Sequence, residues 1–255
     1  QEHLFLYATR GCCGPTWKLF ADMSNAQPVS WAINEAVQKI AGLRGWTSLG
    51  AHSAGGAAES VVEQLIAARA WGVLLDSCDE DLLDKIQRAG LPVVMVNSWI
   101  EHRNADAVIQ DNYRGGLLAA RHLAGQGAER LAWVGSIGAE VHGRERYAGV
   151  VAGLASEGRR LEESMCVEGA GDEMTTGIRR LLSCRKRPDG IFCFGERALD
   201  TLLEVAKELK LVPERDFRAV GWMVEECYET AFAAQFNGGP VPAAVVWKAS
   251  SMVDW

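Results

Sequence analysis

Uninterrupted apolar runs alternate with longer segments of mixed polarity along the chain. Leu4-Phe-Leu-Tyr-Ala8, Val73-Leu-Leu75, Pro92-Val-Val-Met-Val96, Leu131-Ala-Trp-Val134 and Gly190-Ile-Phe-Cys-Phe194 lack the period-2 pattern of a strand with one wet face. Weaker strand signals fall at Trp46–Leu49, Ala107–Ile109, Met165–Val167, Phe217–Val220 and Ala243–Val246. Between them, helical spacing predicts helices from about Pro28, with Trp31, Ala32, Ala36, Val37 and Ile40 on its stripe, and over Ala57–Ala70 and Glu80–Arg88. Further helices are predicted over Tyr113–Ala124, along the stripe Tyr147, Val150, Val151 and Leu154, and over Met174–Ser183, Glu196–Leu209 and Val224–Gln235. Strands that are apolar throughout are covered on both faces, which predicts an α/β fold with parallel sheets. Roughly ten strands are too many for one strongly twisted sheet. Two Rossmann-like subdomains flanking a ligand cleft are therefore expected. The first comprises residues 1–126 with 243–255 and the second residues 127–242, with the seam near Gly125–Glu129 and the late strand Ala243–Val246 crossing back to the first.

Open α/β sheets bind ligands at the carboxyl ends of their strands. The residues just after the predicted strands are Arg10, Ser77 with Asp79, Trp99, Asp111, His142 with Arg146, Asp172, Glu196, Trp222 with Met223, and Trp247. Carboxylates and guanidinium groups hold hydroxyls or charges, and tryptophan offers a flat stacking face, so the set suits a small polar molecule. Arg146, near the start of its helix, is a forked donor for a carboxylate, a phosphate or paired hydroxyls; a surface ion pair with Glu145 or Glu140 is the plainer alternative. For each tryptophan the plainer alternative is core packing. No nucleophile elbow, phosphate-binding loop or dinucleotide fingerprint follows any strand, and none of the five His stands at a metal-ligand spacing. Neither catalysis, nor a metal, nor a cofactor is expected.

The 255 residues suffice for one large domain or two small ones. A formal net charge of −7 argues against a nucleic-acid surface, and Arg185-Lys-Arg187 reads as a solvated turn. No apolar segment reaches the ~18 residues a membrane span requires. Seven Cys without regular spacing, Cys12 and Cys13 adjacent, argue against a disulfide framework and for a reducing cytoplasm. A chain that starts at Gln1 and ends in Met252-Val-Asp-Trp255 is expected to be part of a longer protein.

Four segments, in order, resemble the LacI/GalR family of transcriptional regulators: Asp111-Asn-Tyr-Arg-Gly-Gly with Ala120-Arg-His-Leu-Ala-Gly-Gln-Gly127, then Arg144-Glu-Arg-Tyr-Ala-Gly149, then Arg187-Pro-Asp-Gly-Ile-Phe-Cys193, and Leu211-Val-Pro-Glu-Arg-Asp216 before Ala219-Val-Gly221. The resemblance implies a type I periplasmic-binding-protein-like fold and a homodimer that senses a small sugar or sugar-like effector. It also implies operator binding through a helix-turn-helix headpiece absent from this chain. It places Arg146 on the family's effector-contacting Arg and Asp111 on the Asp after the fifth strand, with His142 and Val29/Ser30 on other pocket positions. The chain departs from the family at Gly221-Trp222-Met223, where Gly-aromatic-Asp is usual, and at Gly195-Glu196, where Asn-Asp is usual. Losing that Asp removes an acceptor for sugar hydroxyls, which favours a ligand with an apolar or flat face, or an anionic one, over a plain hexose. An exported solute-binding protein of a transport system shares the fold and is the alternative reading.

Overall fold

A computed structural model describes residues 4–9, 28–52, 58–76, 78–138, 141–194, 197–228, 232, 236 and 239–253. In the first unit β1 (Leu4–Thr9), β2 (Thr47–His52), β3 (Gly72–Asp76), β4 (Val93–Val96) and β5 (Asp106–Val108) form a parallel sheet in the order β2-β1-β3-β4-β5. The connections carry α1 (Pro28–Leu43), α2 (Ala58–Ala67) and α3 (Glu80–Arg88). In the second unit β6 (Leu131–Val134), β7 (Cys166–Val167), β8 (Gly190–Cys193), β9 (Arg218–Val224) and β10 (Ala243–Trp247) form a parallel sheet in the order β10-β9-β8-β6-β7. Its helices are α4 (Asn112–Gly125), α5 (Val141–Ser156), α6 (Asp172–Ser183), α7 (Ala198–Glu208) and the single turn α8 (Glu225–Cys227). Counted from its own first strand, each sheet has the doubly wound order 2-1-3-4-5, which places the switch point between the first and third strands.

β6 shows why the apolar runs do not alternate. All four of its residues are buried, Leu131 and Trp133 among the side chains of α4 and α5, Ala132 and Val134 among those of α6 and α7. A fully buried side chain of the size of Leu131 or Val134 contributes about 1.5–3 kcal/mol, so a polar residue on either face is costly. The indole of Trp133 is satisfied internally, its Nε1 donating to the Gly135 carbonyl at 2.8 Å. In the first unit α3 lays Leu82, Leu83 and Ile86 against Val73, Leu75 and Met95. Asp79 caps that helix by accepting from the Asp81 and Leu82 amides at 3.1 and 3.2 Å. Among the described residues no helix is long and apolar enough to cross a membrane.

The units divide differently from the boundary expected at residues 126/127. They are Gln1–Gln110 with Lys248–Trp255, and Asp111–Trp247. Two packing decisions move the seam. First, α4 belongs to the second unit, because small residues let it meet α5 backbone to backbone. Gly116 abuts the Arg146 carbonyl, Gly149 the Tyr113 carbonyl, and Gly153 the Ala120 side chain. Second, β10 does not cross to the first sheet but pairs with β9, from Ala243↔Val220 to Trp247↔Val224. The short α9 (Ala249–Val253) then returns to pack on α1 in the first unit.

Candidate functional site

The described part of the site lies wholly in the second unit, where β6 and β8 flank the switch point. β6 runs on into Gly135, whose φ is +138° and where an added Cβ would collide with the Phe194 carbonyl. The chain then enters α5 with Gly143 against the Ser136 carbonyl, which sets His142 and Arg146 one turn apart on the start of the helix. The glycine seam brings α4 close enough for Asn112, fully buried at its first turn, to reach both. Arg146 Nε donates to Asn112 Oδ1 at 2.8 Å, and Asn112 Nδ2 faces His142 Nδ1 at 3.0 Å. The acceptor that Arg146 needs fixes the amide orientation. The NH2 end therefore faces His142, whose Nδ1 must accept, and the imidazole carries its proton on Nε2. The guanidinium carbon stands 4.2 Å from the centroid of the Trp222 ring, a cation–π arrangement. Trp222 is held in turn by an edge contact with Phe194 at 5.3 Å and by Gly115, where any Cβ would strike the indole. An Arg fixed by an amide and a ring has given up its rotamer freedom before any ligand arrives.

The structure thus brings together Arg146, His142 and Trp222 and treats the other expected residues differently. Trp222 and Met223 were expected just beyond a strand ending at Val220. Pairing with β10 extends β9 to Val224, so they sit inside the strand and point to opposite faces. Met223 packs with the α6–α7 core, away from Arg146, and is not part of this cluster. The Trp222 ring carries the guanidinium rather than an open stacking face. Trp247, likewise expected beyond its strand, is the last residue of β10. Asp111 caps α4, its Oδ1 accepting from the Arg114 amide at 3.0 Å. Asp111→Ala should therefore lower stability by about 1 kcal/mol, the usual worth of such a cap, and thermal unfolding would show it. An Asp111→Ala protein of unchanged Tm would remove that role. Trp99 lies in the first unit, where its carbonyl accepts the Cys78 thiol at 3.8 Å beside buried Ser98 and Gln110. Arg10, Ser77 and Glu196 lie outside the described residues, as does the side chain of Ser30 within α1.

Residues 23–253 match the periplasmic binding protein domain. The chain belongs to that family. It is 24% identical over 189 residues to the transcriptional repressor PurR of Mannheimia succiniciproducens, covering 71% of this chain and 54% of that protein. The chain spans about half the length of the curated relatives it matches. Among solved structures it is similar to a complex of the regulator CelR with cellobiose (TM-score 0.77, 21% identity, 99% of this chain and 77% of that one). It also resembles a LacI-family regulator from Lactobacillus casei with bound glucose (TM-score 0.70, 17% identity, 98% and 90%). At these identities the two structures establish the fold.

Cys193 is fully buried in the core between the sheet and α6–α7. Burial drives the Cys193 thiol far above its ordinary range, with the Asp200 carboxylate adding to the shift, so it remains an inert part of the core. Burial also raises Tyr147, whose ring packs edge-on against Trp133 at 5.1 Å. Among the described residues no group of three or more His, Cys, Asp or Glu could hold a metal ion. Sequence reasoning missed Asn112, although it is the second residue of the Asp111-Asn motif. An Asn at a helix start reads as a capping residue; only the α4–α5 contact shows that Asp111 caps and Asn112 connects.

Proposed function

We propose that this chain is the effector-sensing and dimerisation region of a LacI-type DNA-binding regulator, acting as a binding domain rather than an enzyme. Its site takes a small sugar-like molecule. The observation that carries the reading is Arg146, held between Asn112 and Trp222 at the strand ends of a periplasmic-binding-protein-type sheet. The relatives named as PurR repressors favour a regulator over an exported transport protein. A bound molecule can act on such a regulator only by preferring one of its states over another. The operator would be bound by residues outside this chain, whose own net charge of −7 suits no DNA surface. The effector test is calorimetric titration of the 255-residue chain with a panel of mono- and disaccharides, sugar acids and nucleosides, repeated with Arg146→Ala. Binding should weaken at least about tenfold in the variant, the worth of one charge-assisted hydrogen bond; affinity unchanged would sink this site.

The first unit supports self-association. Leu43 at the end of α1, Ile66 on α2 and Trp71 just after it are large apolar side chains left 79%, 56% and 51% exposed. A homodimer of 27.7 kDa chains is expected at micromolar concentration by light scattering. A mass of one chain would contradict it.

A further inference from the structure

We infer that the second unit carries another ligand site, which takes the phosphate or pyrophosphate group of a small molecule between Arg130 and the run Arg185-Lys-Arg187. It lies at the amino ends of the strands, the edge opposite to Arg146, and does not depend on the effector-site reading. Arg130 directly precedes β6, residues 185–188 lead into β8 and Asp216 leads into β9, and these three strands are neighbours in the sheet. Their loops border an open cavity of about 540 Å³ lined by Arg130, Arg185, Lys186, Arg187, Pro188 and Asp216. Its walls are fixed by hydrogen bonds. Asp189 Oδ1 accepts from the Glu129 and Arg130 amides at 2.9 and 2.7 Å, while Oδ2 pairs with Arg130 Nη2 at 3.1 Å. Arg130 Nε donates to the Arg187 carbonyl at 2.8 Å, so this guanidinium is held at the wall by two loops. Asp216 is engaged as well, its Oδ2 accepting from the Val212 amide at 2.7 Å and from Arg215 at 2.8 Å. The Arg215 bond above all, with the Val212 amide and the charge of Arg187, holds the Asp216 carboxyl below its usual range.

Four lining cations against one carboxylate leave three positive charges in excess, on a chain whose net charge is −7. Counting Asp189, which pairs with Arg130, and Arg215, which pairs with Asp216, leaves that excess unchanged. Glu129 and Glu214, the acids next in sequence, do not line the cavity. Among the described residues no carboxylate pairs with Arg185 or Lys186, both exposed. Cations beyond the end of α6 complement its last carbonyls, but that does not account for Arg130, which comes from another loop. Cations gathered around a concavity repel one another unless an anion joins them. A carboxylate brings one charge, whereas a phosphate ester near neutral pH brings close to two and a pyrophosphate more. The volume is that of a small-molecule site rather than of a bare ion.

The test titrates the chain with pyrophosphate, AMP and glucose 6-phosphate, against citrate and a short DNA duplex, following heat and the rise in Tm that native-state binding brings. At least one of the three phosphates should bind with a submillimolar Kd and more tightly than citrate. Pyrophosphate ahead of the two esters assigns a diphosphate group, and the reverse assigns a monoester. Arg185→Glu combined with Lys186→Glu should weaken that binding at least about tenfold, since charge-assisted contacts give way to repulsion. Both side chains are exposed, so the double variant should still fold. Arg88→Glu, an exposed cation of the first unit, and Arg146→Ala should leave phosphate affinity within about twofold. No phosphate bound up to millimolar concentration, or citrate bound as tightly, would overturn the assignment. So would an equal loss in Arg88→Glu, or DNA bound where the small phosphates are not. Phosphate binding lost in Arg146→Ala would place the anion in the effector cluster and remove this second site.

Discussion

Gly149→Ala should destabilise the protein by roughly 2–3 kcal/mol, within the range for forcing extra atoms into a packed seam. By intrinsic propensity the change should help, since Ala is favoured over Gly within a helix by about 1 kcal/mol. The opposite sign is expected because an added methyl meets the Tyr113 carbonyl, a backbone group with no rotamer to change. Parting α5 from α4 also draws Arg146 from Asn112, so ligand binding should weaken with stability. A loss of this size lowers Tm by about 4–12 °C in a protein of this length. Val151→Ala, at a half-exposed site on the same helix, should stay within about 0.5 kcal/mol and serves as the control. A Gly149→Ala protein more stable than the parent would show that the helices do not meet at this seam.

Asn112→Leu should cost about 2–3 kcal/mol, because it leaves Arg146 Nε and His142 Nδ1 facing a hydrocarbon of similar volume. Asn112→Asp separates the two bonds. It keeps the acceptor for Arg146 but turns a second acceptor toward His142, which must then carry its proton on Nδ1. Nitrogen NMR of the His142 ring should report the Nε2–H tautomer in the parent and the change in the Asp variant. An Nδ1–H tautomer in the parent would refute the network as drawn, and an Asn112→Leu protein of parental stability would show the amide to be dispensable.

Much of the fold is written in local patterns. β6 reads as doubly covered because Leu131, Ala132, Trp133 and Val134 are all apolar, and a strand with a wet face does not have that composition. α3 is legible in the helical spacing of Leu82, Leu83 and Ile86, whereas the capping role of Asp79 emerges only from its hydrogen bonds. That Arg146 and His142 stand at the carboxyl edge of the sheet is legible from chain order, since parallel topology brings the loop after each strand to the same edge. Other features depend on partners distant in sequence. β9 looks finished at Val220 until β10 supplies hydrogen bonds through Val224, and that ladder sends Met223 away from Arg146.

The sequence alone, then, determined the class of fold, the order of its elements and the edge at which ligand chemistry gathers, because apolar periodicity and chain connectivity are local properties. Which unit α4 joins, where β10 pairs, which of Asp111 and Asn112 touches the site, and what the Trp222 ring carries were decided only in three dimensions. Each of these depends on a close approach between segments more than twenty residues apart, and at Gly115, Gly116 and Gly149 that approach exists because a side chain is missing. A missing atom leaves no periodic signal, and only the packed neighbour shows what it was missing for.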